Sequence, residues 1–130
     1  MKHILILIFL CFIFSCDDDN YSRITMVGIE NERVIPDTAE NMESVQIKIK
    51  ASAGSLCWSD LYVELRELDT FEYSIKAFGT FTCHKGGCAC PDMMVYKDTI
   101  IYFQPTQDGM YLFSISETTN KVDIDTMIVQ

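Results

Sequence analysis

Between Ser22 and Gln130 apolar residues recur at every second position, and no stretch carries the stripe of an amphipathic helix. Val45, Ile47, Ile49 and Ala51 alternate with Gln46, Lys48 and Lys50. Successive side chains of a strand point to opposite faces, so such a segment buries one face and wets the other. The same alternation runs through Leu61, Val63 and Leu65, through Phe71, Tyr73, Ile75 and Ala77, through Tyr111, Phe113 and Ile115, and through Val122, Ile124, Thr126 and Ile128. With Ile24 to Ile29 and Thr99 to Phe103 the pattern predicts about seven strands. Turn signals at Asp69-Thr70, Gly86-Gly87 and Pro105-Thr106-Gln107-Asp108-Gly109 separate them, which points to two packed antiparallel sheets. At 130 residues the chain holds one small domain and is too short for a large enzyme fold. Its 8 Phe, 6 Tyr and 1 Trp supply a core that disordered chains lack.

The strand beginning Asp108-Gly109-Met110-Tyr111-Leu112-Phe113 resembles one found in immunoglobulin-like domains, where an acidic-Gly turn precedes a Tyr and a core residue sits two positions beyond it. The resemblance implies that the Tyr111 hydroxyl bonds back to the backbone near the turn and fixes a corner between sheets. Phe113 stands where antibody domains carry their second Cys, so the antibody-type intersheet disulfide is absent from this strand and the resemblance is to the broad bacterial class. An up-and-down barrel is the competing architecture. The interval from Glu30 to Ser44, with five carboxylates and Pro36, suits a crossover between sheets better than a barrel turn. The expected fold is therefore an all-β, immunoglobulin-like antiparallel β-sandwich spanning residues 23–130.

The chain begins with Met1-Lys2-His3 and then eleven uninterrupted apolar residues, Ile4 to Phe14. A basic start followed by a run this short reads as a signal peptide, since crossing the hydrocarbon core takes about 20 apolar residues. Ile, Leu and Phe occupy every face of the run, which leaves no polar stripe for a helix at the surface of a domain.

Ile13-Phe14-Ser15-Cys16 resembles the lipobox of bacterial lipoproteins, with a branched apolar residue three before the Cys and a small residue directly before it. Phe14 is bulkier than the usual residue at its position. The resemblance implies cleavage after residue 15, acylation of the Cys16 thiol and amine, and a stable membrane anchor at roughly 0.8 kcal/mol per buried methylene. An ordinary secretory cut, leaving Cys16 as an odd thiol, is the alternative. Asp17-Asp18-Asp19 follows, and like charges with nothing apolar beside them make residues 16–22 a solvated tether. These three Asp residues also resemble the acidic export signal of Bacteroidota lipoproteins, which implies the outer face of the outer membrane. An Asp directly after the Cys implies inner-membrane retention under the proteobacterial rule.

Four further cysteines, Cys57, Cys83, Cys88 and Cys90, form an even set that in an exported chain reads as two disulfides. Cys88 with Cys90 is disfavoured, because residues one apart reach the disulfide dihedral only with strain. Cys57 then bridges to Cys88 or Cys90, with Cys57–Cys90 and Cys83–Cys88 preferred. The competing reading is a metal site of Cys83, His84, Cys88 and Cys90, whose spacing permits zinc or copper. An oxidising compartment and the absence of paired Cys-x-x-Cys motifs favour disulfides, so neither metal nor cofactor is expected.

Removal of residues 1–15 takes away one of the 10 basic residues and none of the 19 acidic ones, making the chain more acidic than its formal −9. Such a surface does not bind nucleic acid phosphates. His84 is the single His of the mature chain, and no nucleophile-elbow, zinc-protease or phosphate-loop motif occurs. A paired-carboxylate hydrolase stays open among so many acids. Trp58 beside Cys57 suits core or corner packing, with stacking on a sugar ring as the other reading. Asp37-Thr38-Ala39, Asp98-Thr99-Ile100 and Asp125-Thr126-Met127 resemble the acceptor motif of Bacteroidota O-glycosylation, and Thr38 is the candidate because its triplet falls in an expected loop. The functional expectation is a lipid-anchored surface module that binds an unknown protein or glycan and has no catalysis of its own. The alternative is a small envelope hydrolase or metal-dependent protein using carboxylates or the Cys83–Cys90 loop.

Overall fold

The computed structural model describes residues 20–84 and 87–130, and each of the seven alternating segments falls on a strand, apart from Phe71, which sits in the turn before its strand. The strands are β1 (Asn20–Ile29), β2 (Thr38–Ala39), β3 (Val45–Ala53), β4 (Trp58–Asp69), β5 (Glu72–His84), β6 (Val95–Phe103), β7 (Gly109–Thr118) and β8 (Lys121–Val129). Among the described residues there is no helix. The chain is thus all-β, as its period of two requires.

The strands form a curled mixed sheet in the order β2-β8-β7-β5-β1-β3-β6, with β4 on the other edge of β5. The purely antiparallel arrangement expected from the sequence is not what forms. Strand β5 is 13 residues long and offers one edge to two partners. Its C-terminal half pairs antiparallel with β1, from Asn20↔His84 to Val27↔Ala77, and its N-terminal half pairs parallel with β7, from Glu72↔Leu112 to Ile75↔Ile115. Parallel neighbours need a crossover, and β6 supplies it by running in a separate ladder with β3 before the chain returns as β7. That ladder joins the rest through Gly28↔Ser52 and Ile29↔Ala51 at the end of β1.

The curl brings the inner faces together. Phe103 of β6 meets Tyr73 of β5 at 4.9 Å between ring centroids, Tyr111 of β7 at 5.6 Å and Phe113 at 5.5 Å. Around these rings Ile47, Ile49, Ile75, Ile115 and Met127 are fully buried. Each such side chain contributes roughly 1.5–3 kcal/mol by leaving water. At the turn before β7, Gly109 has a φ of 151°, and a Cβ there would lie 2.8 Å from the Phe71 ring, so only glycine fits.

One strand turns the opposite face inward. Val122, Ile124, Thr126 and Ile128 were expected to face the core, yet all four are exposed. The β7–β8 hairpin has a register irregularity between Ser116 and Thr118, which sets Met127 opposite the buried Tyr111 and Val129 opposite Gly109. A one-residue slip exchanges every side chain between faces. The inward row of β8 is therefore Asp123, Asp125, Met127 and Val129, with its carboxylates at the end where Arg33 awaits them.

Candidate functional site

Strand β1 takes in Asn20, Tyr21 and Ser22, which the expected tether of residues 16–22 included. Cys16, Asp17, Asp18 and Asp19 lie outside the described residues. At the start of β1, Asn20 stands opposite His84, and the Asn20 side-chain oxygen is hydrogen-bonded to His84 Nδ1. The imidazole is exposed and its partner is an amide, so it is not oriented by a carboxylate as a general base would be.

The cysteines stand in two pairs at disulfide distance, both near this end of the molecule. Cys57 lies 5.3 Å from Cys90 between Cα atoms, and Cys83 lies 5.1 Å from Cys88. The first pair ties the start of β4 to the segment before β6, where the Leu56 amide also donates to the Pro91 carbonyl at 3.1 Å. With all four sulfurs paired, His84 has no thiolate beside it to complete a metal shell. No group of three or more His, Cys, Asp or Glu side chains suited to a metal forms among the described residues. Trp58 is half-buried and meets Phe81 edge-on at 5.2 Å, which is packing rather than a free stacking platform.

Thr38 lies in the two-residue strand β2 rather than in a loop, because the sheet edge of β8 captures it: Thr38 pairs with Ile128, and the Ile128 amide donates to the Asp37 carbonyl at 2.9 Å. Its side chain is exposed beside an open groove of about 510 Å³ shared with Glu40, Asn41, Glu43 and Gln130. Thr99 and Thr126, in the other two triplets, are strand residues of β6 and β8.

A cluster that sequence patterning missed is centred on Arg33. Its guanidinium donates to Glu117 Oε1 at 2.9 Å and to Asp123, and its Nε lies 3.6 Å from Asp125 without a hydrogen bond. Lys121 adds a second cation on Glu117. Burial works to lower the Arg33 pKa, but the bonds to Glu117 and Asp123 and the Asp123 and Asp125 charges outweigh it and raise the value. Glu117 is held below the usual carboxylate value by its bond from Lys121 first and that from Arg33 second. The arrangement clips the segment after β1 onto the β7–β8 hairpin. Its carboxylates are committed to cations and are not poised for proton transfer. The signal was present only as a lone Arg in an acidic stretch.

The outward face of the β3–β6 ladder carries two exposed tyrosines, Tyr96 and Tyr102. Tyr96, Ile100 and Tyr102 project from β6, with Lys48 and Lys50 beside them on β3. Lys50 Nζ lies 5.0 Å over the Tyr96 ring and 3.4 Å from Glu32. A shallow groove of about 320 Å³ runs between Lys48, Asp98 and Ile100. Rings, an aliphatic centre and paired charges can hold a ligand by stacking and hydrogen bonds. No family model, no curated protein and no solved structure matches the chain.

Proposed function

We propose that this chain is a lipid-anchored envelope protein whose immunoglobulin-like β-sandwich binds a protein or glycan and performs no catalysis. The observation that carries the reading is the spacing of anchor and domain. Strand β1 begins at Asn20, so only Asp17, Asp18 and Asp19 separate the folded part from Cys16, the residue the lipobox resemblance marks for acylation. The sandwich reading draws support from Phe103 packing across onto Tyr73, Tyr111 and Phe113. The immunoglobulin-like reading draws support from the Tyr111 hydroxyl, which donates to the Gln107 carbonyl at 3.0 Å and accepts from the Gln107 amide at 3.3 Å. The parallel β5–β7 pairing departs from the antiparallel pattern of that class. Two cystine pairs suit the oxidising compartment that the anchor requires.

The binding surface in this proposal is the outward face of β3 and β6, with Tyr96 and Tyr102 as its anchors. Protease treatment of intact cells of the native host tests the placement. Wild-type protein should be digested, and a variant with Asp17, Asp18 and Asp19 changed to Ala should be protected. Protection of the wild type, in cells whose known surface proteins are cut, would move the domain to the periplasmic side. Cys16→Ala should release the protein from the membrane fraction; a variant that remains membrane-bound and unacylated would remove the anchor reading.

A further inference from the structure

Strand β6 pairs with β3 at every position from Val95↔Ala53 to Phe103↔Val45 without a bulge, and on its other side it pairs with nothing among the described residues. That open edge presents the regular row of backbone donors and acceptors that a further strand needs. Seven of the nine residues of β6 are β-branched or aromatic, and none is Pro or Gly. The other open edges are guarded in ways that β6 is not. Strand β4 has register shifts between Ser59 and Tyr62 and between Glu67 and Asp69, a left-handed Asp60 with a φ of 51°, and the charges of Glu64 and Arg66. Strand β8 is capped at its end by β2, and its Asp123 and Asp125 are engaged with Arg33. Strand β1 has Arg23 in its open stretch and passes its last two residues to β3. The two charges of β6 have neighbours of opposite sign within the chain: Lys97 lines a hollow with Asp60 of β4, and Asp98 stands opposite Lys50 of β3.

We infer that this edge takes the β6 edge of a second copy of the chain, and that the pair joins copies anchored in facing membranes. A two-fold axis normal to the sheet makes the new ladder antiparallel and keeps the core rows of both copies on one side. A parallel two-fold pairing would turn one copy inside out. Facing residues must then belong to the same row of the pleat, and the register that uses the whole strand is centred on Thr99. It sets Tyr96 opposite Tyr102 of the second copy, Val95 opposite Phe103, Lys97 opposite Ile101 and Asp98 opposite Ile100. Two tyrosine pairs result, and no like charges stand directly opposite. The next register one way sets Asp98 against Asp98, which is unfavourable. The next register the other way leaves strand ends unpaired and separates Tyr96 from Tyr102. The edge is thus complementary to itself, and the outward face of β3 and β6 stays open in the pair.

The facing membranes follow from strand direction and rest on the lipid-anchored reading of Cys16, whereas the edge pairing does not. Strand β1 is antiparallel to β3 and β3 to β6, so β6 runs the same way as β1. Antiparallel β6 edges therefore point the two β1 strands in opposite directions, and Asn20, where β1 begins, stands at opposite ends of the pair. The four Cα steps from Cys16 to Asn20 span at most about 14 Å, roughly half the length of a nine-residue strand. A copy standing up from its own membrane on β1 thus holds a partner whose anchor does not reach back to that membrane.

The full acylated protein is reconstituted in phosphatidylcholine vesicles, and vesicle clustering is followed by light scattering. Clustering is expected for the wild type. It should be lost in Thr99→Lys, which sets two ammonium groups on the axis, and kept in Ile24→Lys, which alters an exposed residue of β1. A Thr99→Cys variant puts a thiol on the axis, and mild oxidation should yield a covalent dimer in the clustered vesicles, a readout that does not depend on the Lys variant folding. Clustering that survives Thr99→Lys, or a Thr99→Cys protein that gives no covalent dimer, would overturn the edge pairing. A covalent dimer in vesicles that stay dispersed would overturn the facing-membrane arrangement while leaving the pairing intact. Failure of the anchor reading is separately visible as a Cys16 that carries no acyl mass, and the Thr99→Cys cross-link then tests the pairing in solution.

Discussion

Tyr111 shows how one hydroxyl can fix a turn. Its ring is buried between Phe71 and Phe103, and its oxygen holds both polar groups of Gln107 at the exposed connection before β7. Tyr111→Phe keeps the packing and removes both bonds. Because Gln107 can turn to water, the expected loss is about 1 kcal/mol, read as a lower urea midpoint with an unchanged slope. Glu117 makes a prediction of a different kind. Its folded pKa lies below the usual 4.5 through Lys121 and Arg33, so its contribution is complete above that value and fades as pH falls through the lower folded one. Unfolding curves between neutral pH and about pH 3 should show a stability loss on the acid side that is smaller in Glu117→Gln. The Tyr111 contact was legible in the sequence because the turn, the ring and the core residue are neighbours along the chain. The Arg33 cluster was not, because its hydrogen-bonded carboxylates, Glu117 and Asp123, lie 84 and 90 residues away in sequence.

Among the elements, the seven long strands were legible and their faces mostly so, whereas the two-residue β2 was not. Strand β3 buries Val45, Ile47, Ile49, Ala51 and Ala53 as its alternation requires. Strand β8 has apolar residues in both of its rows, so alternation alone does not choose between them. The choice falls to the hairpin irregularity near Ser116 and to Arg33, which neutralises the carboxylates of the row that turns inward. The cystine pairs divide the stabilising work unequally. Cys57–Cys90 spans 33 residues and Cys83–Cys88 spans 5. In the chain-entropy model these loops correspond to about 3 to 4 and about 2 kcal/mol. Thermal unfolding should therefore show a larger drop in melting temperature for Cys57→Ser with Cys90→Ser than for Cys83→Ser with Cys88→Ser. Equal drops would mean that the long loop is already closed in the unfolded chain.

At the scale of the molecule, charge and topology set the behaviour. Nineteen acidic residues against ten basic ones leave a surface whose like charges repel across the domain. Raising ionic strength from a few millimolar to about 0.15 M, where the screening length is about 8 Å, should raise the melting temperature. A fall would mean that surface ion pairs outweigh the repulsion. The order of strands was beyond the reach of sequence, since the parallel β5–β7 neighbours carry the same alternation as antiparallel ones would. Strand β1 carries a last consequence. Its first eight residues are zipped to β5 and its final two cross to β3, so it is the seam along which the two ladders are sewn. If the chain is held at Cys16, a tug on a ligand far from the membrane runs along this seam. The β1–β5 bonds then carry the load together in shear instead of opening one after another, and the tether fastens to the part of the fold best able to withstand traction.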